Sequence, residues 1–118
     1  PLTRWLFPTV PQGSPAMQAI CMNLSANLLG LGNAATPLGI QAARQLAGGQ
    51  TAANDELCRL VVLNTASIQL IPANVAALRA ALGCQSPFDI LPAVWVTSLL
   101  SAGLGVACAW VLGKVWKP

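Results

Sequence analysis

Charged side chains are so unevenly placed that they divide this chain into long neutral stretches. None occurs over the 39 residues from Trp5 to Ala43, the 19 from Leu60 to Leu78, or the 24 from Ile90 to Gly113. A helix that crosses hydrocarbon needs about 20 predominantly apolar residues, so each window is long enough to span. Only 8% of residues are charged and 55% are hydrophobic, against roughly 25% charged in soluble domains. With a mean hydropathy of +0.64, the chain reads as an all-α integral membrane bundle. Two of the windows are nevertheless interrupted by polar, helix-breaking motifs: NLSANLLGLGNAATPLGIQA from Asn23 to Ala42, and NTASIQLIP from Asn64 to Pro72. In hydrocarbon such residues are costly unless they line a cavity, bind something or join helices.

Helix ends are marked locally. Ser14-Pro15 sets an N-cap before a first-turn proline, and Ser86-Pro87-Phe88-Asp89 repeats that pattern with an acid three residues after the cap. Thr51 or Asn54, followed by Asp55 and Glu56, places negative charge where a helix macrodipole favours it. Gly48-Gly49 and Gly83 read as helix stops. The segment from Pro92 to Trp116 is a continuous apolar helix, with Ser98, Ala102 and Gly105 as a small-residue stripe for close packing. Trp95, Trp110 and Trp116 sit toward its ends, as interfacial indoles do, and Lys114 and Lys117 follow. If each window crosses once, Arg44, Arg59, Lys114 and Lys117 fall inside, and Arg4 and Arg79 outside. The C-terminus is then cytoplasmic, and a re-entrant hairpin at either motif would change the count.

In the first motif Asn23 and Asn27 are four residues apart and share a helix face. Gly30, Gly32 and Pro37 predict a break between Gly30 and Pro37, with Asn33 or Thr36 capping the second half. The second motif places Asn64, Thr65 and Ser67 ahead of Pro72, and Asn64 and Ser67 can face one cavity. A pair of interrupted hydrophobic segments points to a transporter-type site. Its candidate ligand-binding residues are Asn23, Asn27, Asn33, Thr36, Asn64, Thr65 and Ser67, and its helix-breaking residues are Gly30, Gly32, Pro37 and Pro72. The same Asn, Ser and Thr side chains also serve as hydrogen-bonding glue between helices.

Other chemistries find little support. The chain has no His, which removes Ser-His-Asp and Cys-His catalysis and His-containing zinc sites. An enzyme is therefore not expected, nor a cofactor or a metal. Cys21, Cys58, Cys84 and Cys108 form no CxxC and read as small apolar helix residues, or, if the helices flanking Pro72 fold back antiparallel, as one Cys58–Cys84 disulfide. The net charge of +3 is scattered rather than clustered, so no nucleic-acid surface is expected. Gly30-Leu31-Gly32-Asn33-Ala34-Ala35 matches a dinucleotide-binding fingerprint, but no β-branched strand precedes it and Pro37 would fall inside the helix the fingerprint needs next. The Asn23-Leu24-Ser25 sequon lies inside an apolar segment.

Both motifs, and the chain from about Pro8 to Lys117, resemble the spore maturation A family of nucleoside-recognition (Gate) domain membrane proteins. By matching positions the motif residues are Asn23, Asn27, Asn33, Thr36, Pro37, Asn64, Thr65 and Pro72, with Ala66 where a hydroxyl residue is expected. The resemblance implies a multi-pass plasma-membrane protein that works with a homologous partner, spore maturation protein B, in spore core dehydration. It also implies that residues 1–118 form one such domain, a fragment lacking the family's N-terminal hydrophobic segments; the absence of an initiator Met agrees. The function expected is transport or gating of a small polar solute or ion, through broken or re-entrant helices surrounded by membrane lipid. The alternative is a non-transporting scaffold that assembles with the homologous partner.

Overall fold

The computed structural model describes residues 2–66 and 68–116. Among them are six helices and no strand: α1 (Leu2–Leu6), α2 (Pro15–Leu28), α3 (Gly32–Ala47), α4 (Asp55–Thr65), α5 (Ala73–Ala81) and α6 (Leu91–Val115). Local chemistry sets several of their ends. The Ser14 hydroxyl accepts the Met17 N–H at 3.2 Å, with Pro15 as the first helical residue. Of the two candidates for the start of α4, Asn54 is the cap: its Oδ1 accepts from Leu57 N at 2.8 Å. Its Nδ2 donates to Leu46 O at 2.9 Å, so one side chain closes α3 and opens α4. Gly48 ends α3 in the left-handed region at φ 53°.

The 39-residue neutral window does not cross as one helix. It folds into a hairpin, with α2 and α3 packed along each other and joined by a three-residue turn. At 1.5 Å per residue the two helices are about 21 and 24 Å long, each shorter than the roughly 30 Å hydrocarbon core of a bilayer. The turn is a Schellman motif. Gly30 sits at φ +67°, Leu31 N donates to Ala26 O and Gly30 N to Asn27 O, both at 2.9 Å. The third free carbonyl of α2, that of Leu28, accepts from Leu70 N at 2.8 Å and Ile71 N at 3.1 Å. The tip of the hairpin is thus bonded to the second interruption, between α4 and α5.

Three local expectations need correction here. α3 begins at Gly32 with Leu31 as its N-cap and no side-chain capping bond, so neither Asn33 nor Thr36 caps it. Pro37 lies inside α3 and does not mark the break. The carbonyl its missing N–H would have bonded belongs to Asn33, an exposed residue, where solvent or a neighbour can satisfy it. Ser86-Pro87 does not start α6 either; residues 87–90 form a turn, and Asp89 pairs with Arg79 at 2.6 Å in place of capping a helix.

α6 runs antiparallel to α4. The pairing is read from Trp95 Nε1, which donates to Leu70 O at 2.8 Å, from Gly105 against Val62 and from Gly113 against Asp55. The small-residue stripe works as expected at two positions: Ser98 is buried and accepts from Gln69 N at 3.3 Å, and a Cβ on Gly105 would lie 2.8 Å from Val62 Cγ1. Much of the remaining surface of α6 is exposed and apolar, with Leu99 74% and Leu104 67% exposed. Among the described residues α6 is the helix both long and apolar enough to cross a membrane.

The core joins Phe7, Val10, Met17, Ile20, Leu60, Leu63 and Val106, so the N-terminal segment tucks beneath α2, α4 and α6. It is fastened there by Glu56, whose Oε1 accepts from the Thr9 hydroxyl at 2.7 Å, and by Arg59, which donates to Leu6 O at 3.1 Å. Trp5 stacks on Trp110 at 6.4 Å. This placement moves Arg4, beside Trp5, to the end of the molecule that holds Arg59 and Lys114. The single-crossing count had put it at the opposite end. Lys117 lies outside the described residues.

Candidate functional site

One and two turns below the hairpin tip, the asparagines of both motifs converge. Asn64 Oδ1 accepts from Asn23 Nδ2 at 3.0 Å and from Asn27 Nδ2 at 2.9 Å. Asn64 Nδ2 donates to Asn23 Oδ1 at 2.9 Å and to Leu60 O at 2.8 Å. Asn23 Nδ2 also donates to Ala35 O at 2.9 Å. A primary amide offers two donors and about two acceptor positions, so Asn64 is saturated and Asn23, fully buried, has both donors placed. Asn27 is half-buried and makes one side-chain hydrogen bond among the described residues. Its carbonyl and second N–H have no further partner among the described residues.

Asn27 and Asn64 form part of the wall of a cleft of 410 Å³ between α3 and α4, with Thr36, Thr65, Gly32 and Gly39. Among the described residues no charged side chain lines it. The hydroxyl of Thr36 donates to Gly32 O at 3.2 Å and that of Thr65 to Val61 O at 2.8 Å, which leaves their oxygens able to accept. Five of the expected ligand-binding residues, Asn23, Asn27, Thr36, Asn64 and Thr65, therefore gather in or against this cleft. Asn33 is exposed and lies apart from it; Ser67 lies outside the described residues. Of the expected helix-breakers, Gly30 is in the turn, Gly32 opens α3, Pro37 is within α3, and Pro72 immediately precedes α5.

Sequence reasoning did not count Gly39 among the candidate site residues. A Cβ there would stand 3.0 Å from Asn23 Nδ2 and 3.5 Å from Asn64 Oδ1, so the bare backbone of Gly39 lets α3 approach the amides. The signal was available: Gly32, Ala35, Gly39 and Ala43 recur at helical spacing along α3, a second small-residue stripe. Gly30 is more constrained still, since a Cβ would meet Ile71 O at 2.6 Å and Ala73 N at 2.9 Å.

The remaining chemistries are easily placed. All four cysteines are free. The Cys58–Cys84 pairing fails because α4 and α5 do not pack as an antiparallel pair: Cys58 is in the first turns of α4, whereas Cys84 follows α5. Among the described residues no three His, Cys, Asp or Glu side chains converge to hold a metal. Gly30-Leu31-Gly32 follows a helix, not a strand, so the dinucleotide fingerprint lacks its structural context.

No family model matches the chain, and no solved structure matches it. Over 108 residues it is 43% identical to spore maturation protein A of Bacillus subtilis (strain 168), an alignment that covers 89% of this chain and 55% of that protein. The chain thus spans about half the length of the curated relative it matches.

Proposed function

We propose that the chain is the core of a multi-pass plasma-membrane protein that transports or gates a small polar solute or ion, acts in sporulation, and assembles with a homologous membrane partner. One observation carries this reading: two interrupted segments meet backbone to backbone, Leu28 O to Leu70 N and Ile71 N, directly above a neutral cluster of amides. Paired interruptions at a common depth are how membrane transporters expose hydrogen-bonding groups to a polar cargo. Half-length helices that turn back are tolerated in hydrocarbon when they are buried in protein or line a cavity. The apolar surface of α6 suits lipid contact. Arg4, Arg44, Arg59 and Lys114 at one end, against Arg79 at the other, favour a cytoplasmic C-terminus by the positive-inside tendency.

Within this reading the amides divide their work. Asn23 and Asn64, saturated by each other and by backbone, lock the hairpin to α4. Asn27, with the oxygens of Thr36 and Thr65, offers the cargo its hydrogen bonds. The same saturation favours a second reading, a non-transporting scaffold in which all three asparagines only fasten helices. Flux into proteoliposomes containing the full-length protein and its partner separates the two, using a panel of neutral polar solutes and monovalent ions. Asn27→Ala is expected to insert and assemble normally while lowering flux. Absence of flux from the wild type would favour the scaffold, and flux unchanged in Asn27→Ala would remove Asn27 from the cargo path.

A further inference from the structure

Trp110 stands between two hollows at the cation-rich end of the molecule. On one side a cleft of 620 Å³ opens between the start of α4 and the end of α6, lined by Asp55, Arg59, Trp110 and Lys114 among others. On the other an apolar groove of 510 Å³ leads from Trp5 and Trp110 past Gly103 to Leu99 and Ile68. The charged cleft and the apolar groove thus share one indole as a wall.

Two cations crowd that ring. Arg59 Cζ lies 5.1 Å and Lys114 Nζ 5.9 Å from its centroid. Glu56 pairs with Arg59 at 3.4 Å, but among the described residues no acid pairs with Lys114. Asp55, whose carboxylate packs over Gly113, likewise pairs with no cation among them. An ammonium and a carboxylate without partners among the described residues thus stand in the cleft on the other side of Trp110 from the apolar groove.

We propose that this composite is a phospholipid site: the phosphate lies between Lys114 and Arg59, a primary-ammonium headgroup reaches Asp55, and an acyl chain enters the groove. The proposal rests on the membrane reading above. Cations placed at the membrane surface attract lipid phosphate, and an indole at headgroup depth is a common interfacial contact. Asp55 sets the headgroup. It repels a phosphoglycerol headgroup, which has no cation to offset the carboxylate, and a trimethylammonium has no N–H to donate to it. An ethanolamine headgroup satisfies both charges of the cleft.

Native mass spectrometry of the full-length protein, exchanged into equal amounts of phosphatidylethanolamine, phosphatidylglycerol and phosphatidylcholine, tests this. Phosphatidylethanolamine is expected to be retained over both others. Lys114→Ala should lower retention about fivefold, and Asp55→Asn should abolish the preference for ethanolamine over glycerol. Gly103→Leu, placed where a Cβ meets nothing within 4 Å, should fill the groove and reduce retention of every lipid. Equal retention of the three lipids by the wild type overturns the proposal, as does full retention by Lys114→Ala. Displacement of lipid by inorganic phosphate would assign the cleft to a soluble anion and overturn it too. Alkaline extraction of membranes separates the two readings: a protein released as peripheral defeats the membrane reading, whereas one that stays inserted but retains no lipid defeats this one alone.

Discussion

Replacing Gly30 by Ala tests the junction between the two interruptions, and the size of the effect can be worked out in parts. The residue sits at φ +67°, where an L side chain costs about 1–2 kcal/mol. The new Cβ would also stand 2.6 Å from Ile71 O, so the α4–α5 connection must retreat. Retreat breaks the bonds from Leu70 N and Ile71 N to Leu28 O, each worth about 0.5–1.5 kcal/mol. The sum is a loss of about 2–5 kcal/mol. Gly48→Ala supplies the control, because Gly48 shares the left-handed conformation at φ +53° but has nothing within 4 Å of its Cβ. It should lose only the conformational part, about 1–2 kcal/mol. Reversible unfolding of the full-length protein in mixed micelles measures both variants under one condition. Equal losses in the two would show that the hairpin tip does not bear on Ile71 and Pro72, and the meeting of the two interruptions would have to be abandoned.

Further substitutions probe other contacts. Asn64→Ala strips the fully buried Asn23 of one acceptor and one donor at once, so it should destabilise by about 2–4 kcal/mol, whereas Asn27→Ala should cost about 1 kcal/mol in the same unfolding assay. Gly39→Ala pushes a methyl to 3.0 Å from Asn23 Nδ2 and should cost about 1–3 kcal/mol, while Gly103→Ala, with open space around it, should be neutral or slightly stabilising; a reversed order would refute the close approach of α3 to the amides. Glu56→Ala removes the acceptor of the Thr9 hydroxyl, and faster hydrogen exchange confined to residues 6–10, with altered Trp5–Trp110 fluorescence, is the expected result. Unchanged exchange there would mean that the Thr9–Glu56 hydrogen bond does not hold the N-terminal segment in place.

Features set by neighbours in sequence were readable from it. Ser14 with Pro15, Asn54 with Asp55 and Glu56, and Gly48 each impose a helix end through atoms a few residues away, and each does so here. Gly30 and Pro72 marked the two interruptions for the same reason. Pro37 misled because the carbonyl it deprives belongs to exposed Asn33, so α3 tolerates the loss. Ser86-Pro87 misled because Arg79, seven residues earlier, claims Asp89. Charge-free length does not distinguish one crossing from a hairpin; that choice rests on the Leu29–Leu31 turn and on the packing of α2 against α3. The pairing of Asn23 with Asn64, 41 residues apart, is a tertiary fact that local pattern could suggest but not specify, and Gly39 gains meaning only beside it.

On the proposed membrane reading, the hairpin also bears on how such a chain would reach a bilayer. Both feet of α2–α3 stand at the end of the molecule that carries Arg4, Arg44, Arg59 and Lys114, so the hairpin enters without drawing an ionised group through oil. Among the described residues, the charge that would have to cross lies at the end of α5 and in its connection to α6, where Arg79 and Asp89 are already joined at 2.6 Å. The cargo of that passage would be a dipole, not two separate ions, and the barrier to biogenesis would fall accordingly.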